Sequence, residues 1–108
     1  MSYNLIAVPT FKKKLKRLAK KYPSLKSELA TLFEALVLDP EQGISLGNNC
    51  YKIRIAVASK NKGKSGGARL VTNFVIAEAT IYLLSIYDKS EKDNITDKEF
   101  KELLSSVK

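Results

Sequence analysis

Lys52 and Arg54 stand two residues apart in Tyr51-Lys52-Ile53-Arg54-Ile55, and Arg69 follows a glycine-rich loop at the head of a second apolar run. In an alternating strand, residues two apart point to one side, so Lys52 and Arg54 share a face. Antiparallel pairing with the next strand brings Arg69 beside them. Three cations at that spacing repel one another. Their repulsion favours the neutral form of a lysine and attracts an anion, above all a phosphate, which arginine grips through two parallel hydrogen bonds. A solvated, charged sheet face is the plainer reading of the same residues. The surroundings favour a ligand: residues 42–77 hold six basic side chains and no acid.

The loop between the strands adds Lys60, Lys62 and Lys64 to this strip. Its Gly63-Lys64-Ser65 imitates a phosphate-binding loop, but that motif needs glycine five residues earlier and a helix afterwards. Position 58 is Ala58, and a strand follows Gly66-Gly67. The glycines serve a turn, with the lysines reaching solvent. A second basic set, including Lys13, Lys16 and Arg17, lies between the apolar positions of the first helix. It is either a solvated helix face or a contact for a phosphate backbone, adding affinity and salt dependence without sequence choice. Tyr87, closing a strand before Asp88-Lys89-Ser90, is either a core residue or a phenol able to stack on a base or give up a proton.

The chain has no histidine and one cysteine, Cys50. Ser-His-Asp, Cys-His and two-histidine ribonuclease chemistries are therefore excluded, as is an internal disulfide, and a structural zinc site is not expected. Paired carboxylates for a metal are not evident either. If the protein acts on RNA, it must do so with Lys, Arg and Tyr. No metal or cofactor is expected. Nineteen Lys plus Arg against eleven Asp plus Glu give a net charge of +8, which points toward polyanions. No run approaches the ~18 apolar residues of a membrane span, and no leader is evident, so a cytoplasmic protein without a membrane partner is expected.

The elements that position these residues follow from periodicity. One domain over residues 1–108 is expected at this length. Tyr3 to Val8 reads as a strand, and Thr10 as the N-cap of a helix carrying Phe11, Leu15, Leu18 and Tyr22. Pro23 ends it. A second helix from Ser24 carries Leu25, Leu29, Leu32 and Leu36 and stops before Asp39-Pro40. Glu41 to Asn49 reads as a polar loop, followed by strands Tyr51 to Val57, Ala68 to Ile76 and Thr80 to Tyr87. Thr96 and Glu99 fit a capping box, with Ile95 and Phe100 placed for a hydrophobic staple. The expected class is α+β: an antiparallel sheet, an N-terminal helical hairpin on one face, and a C-terminal helix.

Three stretches carry a family resemblance: Cys50-Tyr51-Lys52-Ile53-Arg54, Gly63-Lys64-Ser65-Gly66-Gly67-Ala68-Arg69-Leu70-Val71, and Leu84-Ser85-Ile86-Tyr87-Asp88-Lys89-Ser90-Glu91-Lys92. They resemble the RelE/ParE superfamily of toxins from type II toxin-antitoxin systems, and the basic glycine loop is most similar to its HigB-like RelE branch. The resemblance implies a RelE-like fold and a cytoplasmic, metal-independent endoribonuclease, an mRNA interferase. Such an enzyme cuts mRNA on the ribosome, inhibits translation, and is silenced by a cognate antitoxin. It implies attack of a ribose 2′-OH on the adjacent phosphate, with Lys52 as candidate base, Arg54 beside it, Arg69 on the scissile phosphate, and Lys89 where some members carry a further basic residue. Some members carry a catalytic tyrosine where this chain has Ile95. Two alternatives share the fold: a ParE-like inhibitor of gyrase, and a non-catalytic RNA-binding module.

Overall fold

The computed structural model describes residues 3–60, 66–92 and 94–107, with only the backbone of Lys60. The elements run β1 (Asn4–Ala7), α1 (Pro9–Lys21), α2 (Leu25–Leu36), β2 (Ile44–Gly47), β3 (Cys50–Ile55), β4 (Ala68–Val75), β5 (Thr80–Asp88) and α3 (Asp97–Ser105). Five strands form one sheet in the order β1-β5-β4-β3-β2. The expected α+β class holds. Three of its four pairings are antiparallel, and β1 lies parallel to β5, with Leu5 opposite Ile81. Parallel neighbours need a long crossover, which the chain between β1 and β5 supplies.

Alternation along β3 and β4 sorts the core. Ile53, Leu70 and Ile86 lie in register across three strands, as do Ile55, Ala68 and Asp88, and all six are buried. Phe11 and Leu18 of α1 and Leu25, Leu29 and Leu36 of α2 join the same core. Helix α1 runs beside β5 beyond the end of β1: the Val8 amide donates to Leu83 O (3.2 Å), Lys14 Nζ to Ser85 Oγ (3.1 Å), and Tyr22 Oη to Asp88 Oδ2 (2.6 Å). The helix therefore covers the part of β5 that β1 leaves unpaired.

Two local expectations are corrected. Thr10 is not the N-cap of α1. Val8 holds that place in extended conformation with Pro9 inside the first turn, because proline's fixed φ and missing N–H suit the first helical position. The segment Ile44–Gly47, expected to be loop, is an edge strand paired with β3. Its ladder partner sets its conformation, and Ile44 stays half exposed at 52 %, so it lacks the buried alternation that would mark it. The turn into β3 uses Asn48 and Asn49, both at positive φ. Asn73 Nδ2 ties this turn down by donating to Asn48 O at 3.0 Å.

The expected capping box of α3 is present: Glu99 N donates to Thr96 Oγ1 (3.1 Å) and Thr96 N to Glu99 Oε1 (3.1 Å). Leu103 and Leu104 are buried beneath the helix. Gly67, just before β4, has a structural reason of its own. A Cβ there would lie 1.9 Å from Ile55 O, so only glycine lets β4 start this close to β3.

Candidate nucleic-acid interface

The register fixes the cation cluster. Arg54 of β3 lies directly opposite Arg69 of β4, which in turn lies opposite Tyr87 of β5. One step along, Lys52 faces Val71, and Val71 faces Ser85. Lys52, Arg54 and Arg69 thus occupy one side of the sheet, the side opposite Ile53, Leu70 and Ile86.

Their depths differ. Arg54 is exposed, Lys52 is half-buried, and Arg69 is only 4 % exposed, its Nη1 donating to Ala68 O at 3.1 Å. Lys52 Nζ donates to Asn94 Oδ1 at 3.3 Å. Among the described residues, no carboxylate lies within ion-pair distance of Lys52 or Arg54. Gly43 holds the edge next to them: its φ of +92° and the 2.3 Å approach a Cβ would make to Lys52 O reserve the place for glycine.

This side is not open throughout, as helix α3 roofs its β5 end. Ile95, Glu99 and Leu103 share with Ser85 and Tyr87 the lining of a cavity of about 160 Å³. Tyr87 is 5 % exposed and its hydroxyl, itself buried, has no hydrogen-bond partner among the described residues. Burial pushes the phenol above its ordinary 10.0; Arg69 opposes this and Glu99 reinforces it. The phenol stays protonated. A Tyr87 able to stack freely on a base does not fit this placement, because α3 covers it.

The remaining candidates separate. Lys89 is half-buried, and its amide continues the ladder to Gly67 O at 3.0 Å. Lys13, Lys16 and Arg17 are exposed on α1 and, with Lys20 and Lys21, border a shallow groove. Arg17 also pairs with Glu91 at 3.3 Å. Lys62 and Lys64, and the side chain of Lys60, lie outside the described residues. Among the described residues, no group of His, Cys, Asp or Glu is arranged to hold a metal ion, and no helix is long and apolar enough to cross a membrane.

A cationic row across β3 and β4, beside a covered tyrosine, invites comparison with known proteins. The family model described as the RelE toxin of the RelE/RelB toxin-antitoxin system matches residues 9–108. The chain belongs to this family. A doubly substituted E. coli RelE toxin in the free state is similar at a TM-score of 0.67 and 15 % identity, covering 100 % of both chains. The intact E. coli RelBE toxin-antitoxin complex matches at 0.53 and 20 % identity, over 81 % of this chain and 96 % of that one. A RelE mutant bound to an antitoxin RelB peptide matches at 0.53 and 19 % identity, over 94 % of each chain. At such identities the likeness speaks for the RelE fold.

Sequence reading of this RelE-family chain did not single out Ser85 and Glu102 at the cavity, and Lys14 entered only with the basic set of the first helix. Ser85 carried a usable signal, since it precedes Tyr87 by two residues in a strand. Lys14 and Glu102 carried none, because their place depends on how α1 and α3 pack against β5.

Proposed function

We propose that this toxin of a toxin-antitoxin system is a ribosome-dependent mRNA endoribonuclease. One observation carries the reading: Lys52 and Arg54, with no carboxylate at ion-pair distance among the described residues, share a sheet face with the buried Arg69. Leaving cations without counter-charges is unfavourable in a free protein and favourable once a phosphate binds.

The 2′-oxygen of one ribose attacks the neighbouring phosphorus while the P–O5′ bond breaks, giving a 2′,3′-cyclic phosphate and a 5′-hydroxyl. Lys52 takes the 2′-OH proton. Arg54 reaches the equatorial oxygens directly, and the buried Arg69 adds positive potential from the neighbouring strand on the same face, where low dielectric strengthens it. Lys89, two residues past Tyr87, returns a proton to the leaving oxygen. The covered hydroxyl of Tyr87 takes no part in these transfers. No metal is needed. The basic loop and the exposed lysines of α1 hold the RNA backbone, and a cognate antitoxin silences the toxin by covering the cationic face.

Induced expression should arrest translation and leave new mRNA 5′ ends mapped by primer extension. Arg54→Ala, at an exposed position, should abolish the arrest without unfolding the protein. Full translation in the presence of folded wild-type protein would sink the reading, and an effect confined to DNA supercoiling would move it to gyrase.

A further inference from the structure

Lys52 is held from outside its own sheet. Among the described residues its Nζ has one hydrogen-bond partner, Asn94 Oδ1 at 3.3 Å, a residue 42 positions away in sequence. Asn94 lies two residues before Thr96, the N-cap of α3, so the entry to a helix touches a side chain in the middle of a strand. The same Oδ1 accepts the Ile95 amide at 2.9 Å. That second bond fixes which way the carboxamide lies, because a backbone N–H is satisfied by its oxygen and not by its nitrogen, itself a donor. Without such a bond the terminal torsion of asparagine is broad and twofold. The capping box of Thr96 and Glu99 holds the backbone that carries this turn.

The residue type is informative. Asparagine, aspartate and serine can all accept from a neighbouring backbone N–H, so the bond to Ile95 does not distinguish them. The contact with Lys52 does. A serine hydroxyl is one bond shorter and falls away from Nζ. A carboxylate would reach Nζ and add a counter-charge, where no carboxylate lies within ion-pair distance among the described residues. Asparagine reaches Nζ and adds no charge. Lysine carries its polar end on a flexible four-carbon stem, and ordering that stem is costly. A neutral acceptor orders it in advance and leaves Nζ further donors for a substrate.

We propose that Asn94 is a positioning residue for Lys52: its neutral carboxamide oxygen aims Nζ along the face it shares with Arg54 and adds no charge that would compete with a phosphate. What Lys52 meets there rests on the ribonuclease reading. The helix entry, set by its cap, and the sheet, set by its register, meet at this contact, which gives α3 a part in the site.

The test compares Asn94→Ser with Asn94→Asp in the full chain. Both keep an acceptor for the Ile95 amide, so melting temperatures should stay close to wild type. In protein labelled with carbon-13 at the lysine ε-carbons, with the Lys52 signal assigned from Lys52→Arg, a held Nζ gives its two ε-protons separate resonances. Asn94→Ser should merge them, and Asn94→Asp should keep them apart. On ribosomes carrying mRNA, Asn94→Ser should lower kcat about tenfold with KM within about twofold, the pattern of a misplaced group rather than of lost binding. Asn94→Asp should instead raise KM and lower the slope of log affinity against log salt for a short RNA by about 0.7, the share of one phosphate contact. An asparagine that served only its own turn would leave all of these at wild-type values in both variants. Merged ε-proton signals in the wild type, separate signals persisting in Asn94→Ser, or an unchanged kcat in Asn94→Ser overturns the positioning role. The ribosome-free readout keeps the two readings apart: wild-type protein that leaves mRNA intact removes the ribonuclease, while the ε-proton signals still decide whether Asn94 holds Lys52.

Discussion

On the β3–β4 face, Lys52 and Arg54 meet no carboxylate at ion-pair distance among the described residues, whereas at the end of β5 the acids are tied down one by one. Asp88, 1 % exposed, accepts from Tyr22 Oη (2.6 Å), Ser90 N (2.9 Å) and Ser90 Oγ (2.7 Å), and Lys21 Nζ lies 3.8 Å away. Glu91 pairs with Arg17 and Lys21, and Glu99 with Lys92. Charge in the second region holds α1 and the chain after β5 together. In the first, Lys52 and Arg54 meet no such counter-charge among the described residues. The lesson is that net charge is uninformative until each cation is matched with its partner; the chain totals +8, yet the cations near Glu91 are paired with it while Lys52 and Arg54 meet no carboxylate among the described residues.

Asp88→Ala gives the largest expected effect. It removes several hydrogen bonds to a buried carboxylate, each worth about 1.5–3 kcal/mol when charged groups take part, so urea denaturation should show a loss of about 3 kcal/mol or more. Arg54→Ala should stay within about 0.5 kcal/mol of wild type in the same measurement. Its cleavage on ribosomes should fall about a hundredfold, the usual loss when one charge-stabilising donor is removed. Equal destabilisation by the two substitutions would erase the contrast between the regions.

Next comes the cap that carries α3. Thr96→Ala should cost about 1 kcal/mol. Glu99 is held at about 2, well below its ordinary 4.5, first by the Lys92 hydrogen bond and then by the Thr96 backbone. A depressed carboxylate stabilises the folded state above its unfolded value and loses that contribution as pH falls through the folded one. Amide-exchange protection of α3 should therefore decline on acidification from about 4.5 toward 2, and Glu99→Gln should flatten that decline. A wild-type profile already flat over this range would show that Glu99 takes no part in pinning the helix.

What the sequence disclosed, it disclosed where local chemistry decides. The α3 cap was legible from Thr96 and Glu99 alone, and the shared face of Lys52 and Arg54 from two-residue spacing. Antiparallel pairing of the next strand was enough to bring Arg69 beside them, though not to give the register that sets it opposite Arg54. Three features were not legible. The strand Ile44–Gly47 owes its conformation to its ladder with β3, and the parallel pairing of β1 with β5 depends on where α1 and α2 return the chain. Arg69's burial depends on its neighbours across the sheet, since alternation gives a side chain's face but not its depth. The cavity belongs with these, its walls coming from α1, β5 and α3 together.

The smallest effects belong to the exposed cations of α1, and they sharpen the comparison because some cations of this helix are tied into the second region and others are not. Arg17 is engaged by Glu91, while no ion pair at Lys13 or Lys16 is found among the described residues. A phosphate contact to single-stranded RNA contributes about 0.7 to the slope of log affinity against log salt. Lys13→Ala and Lys16→Ala should each lower that slope by about this amount, with stability unchanged within about 0.5 kcal/mol. Arg17→Ala should lower it less, since its guanidinium must first leave Glu91, and an exposed pair of that kind holds with up to about 1 kcal/mol. Binding of a short unstructured RNA across a salt series measures all three. An unchanged slope for both lysine variants would confine RNA contact to the β3–β4 face and the loop beside it, leaving α1 as a solvated helix whose charge serves only its own region.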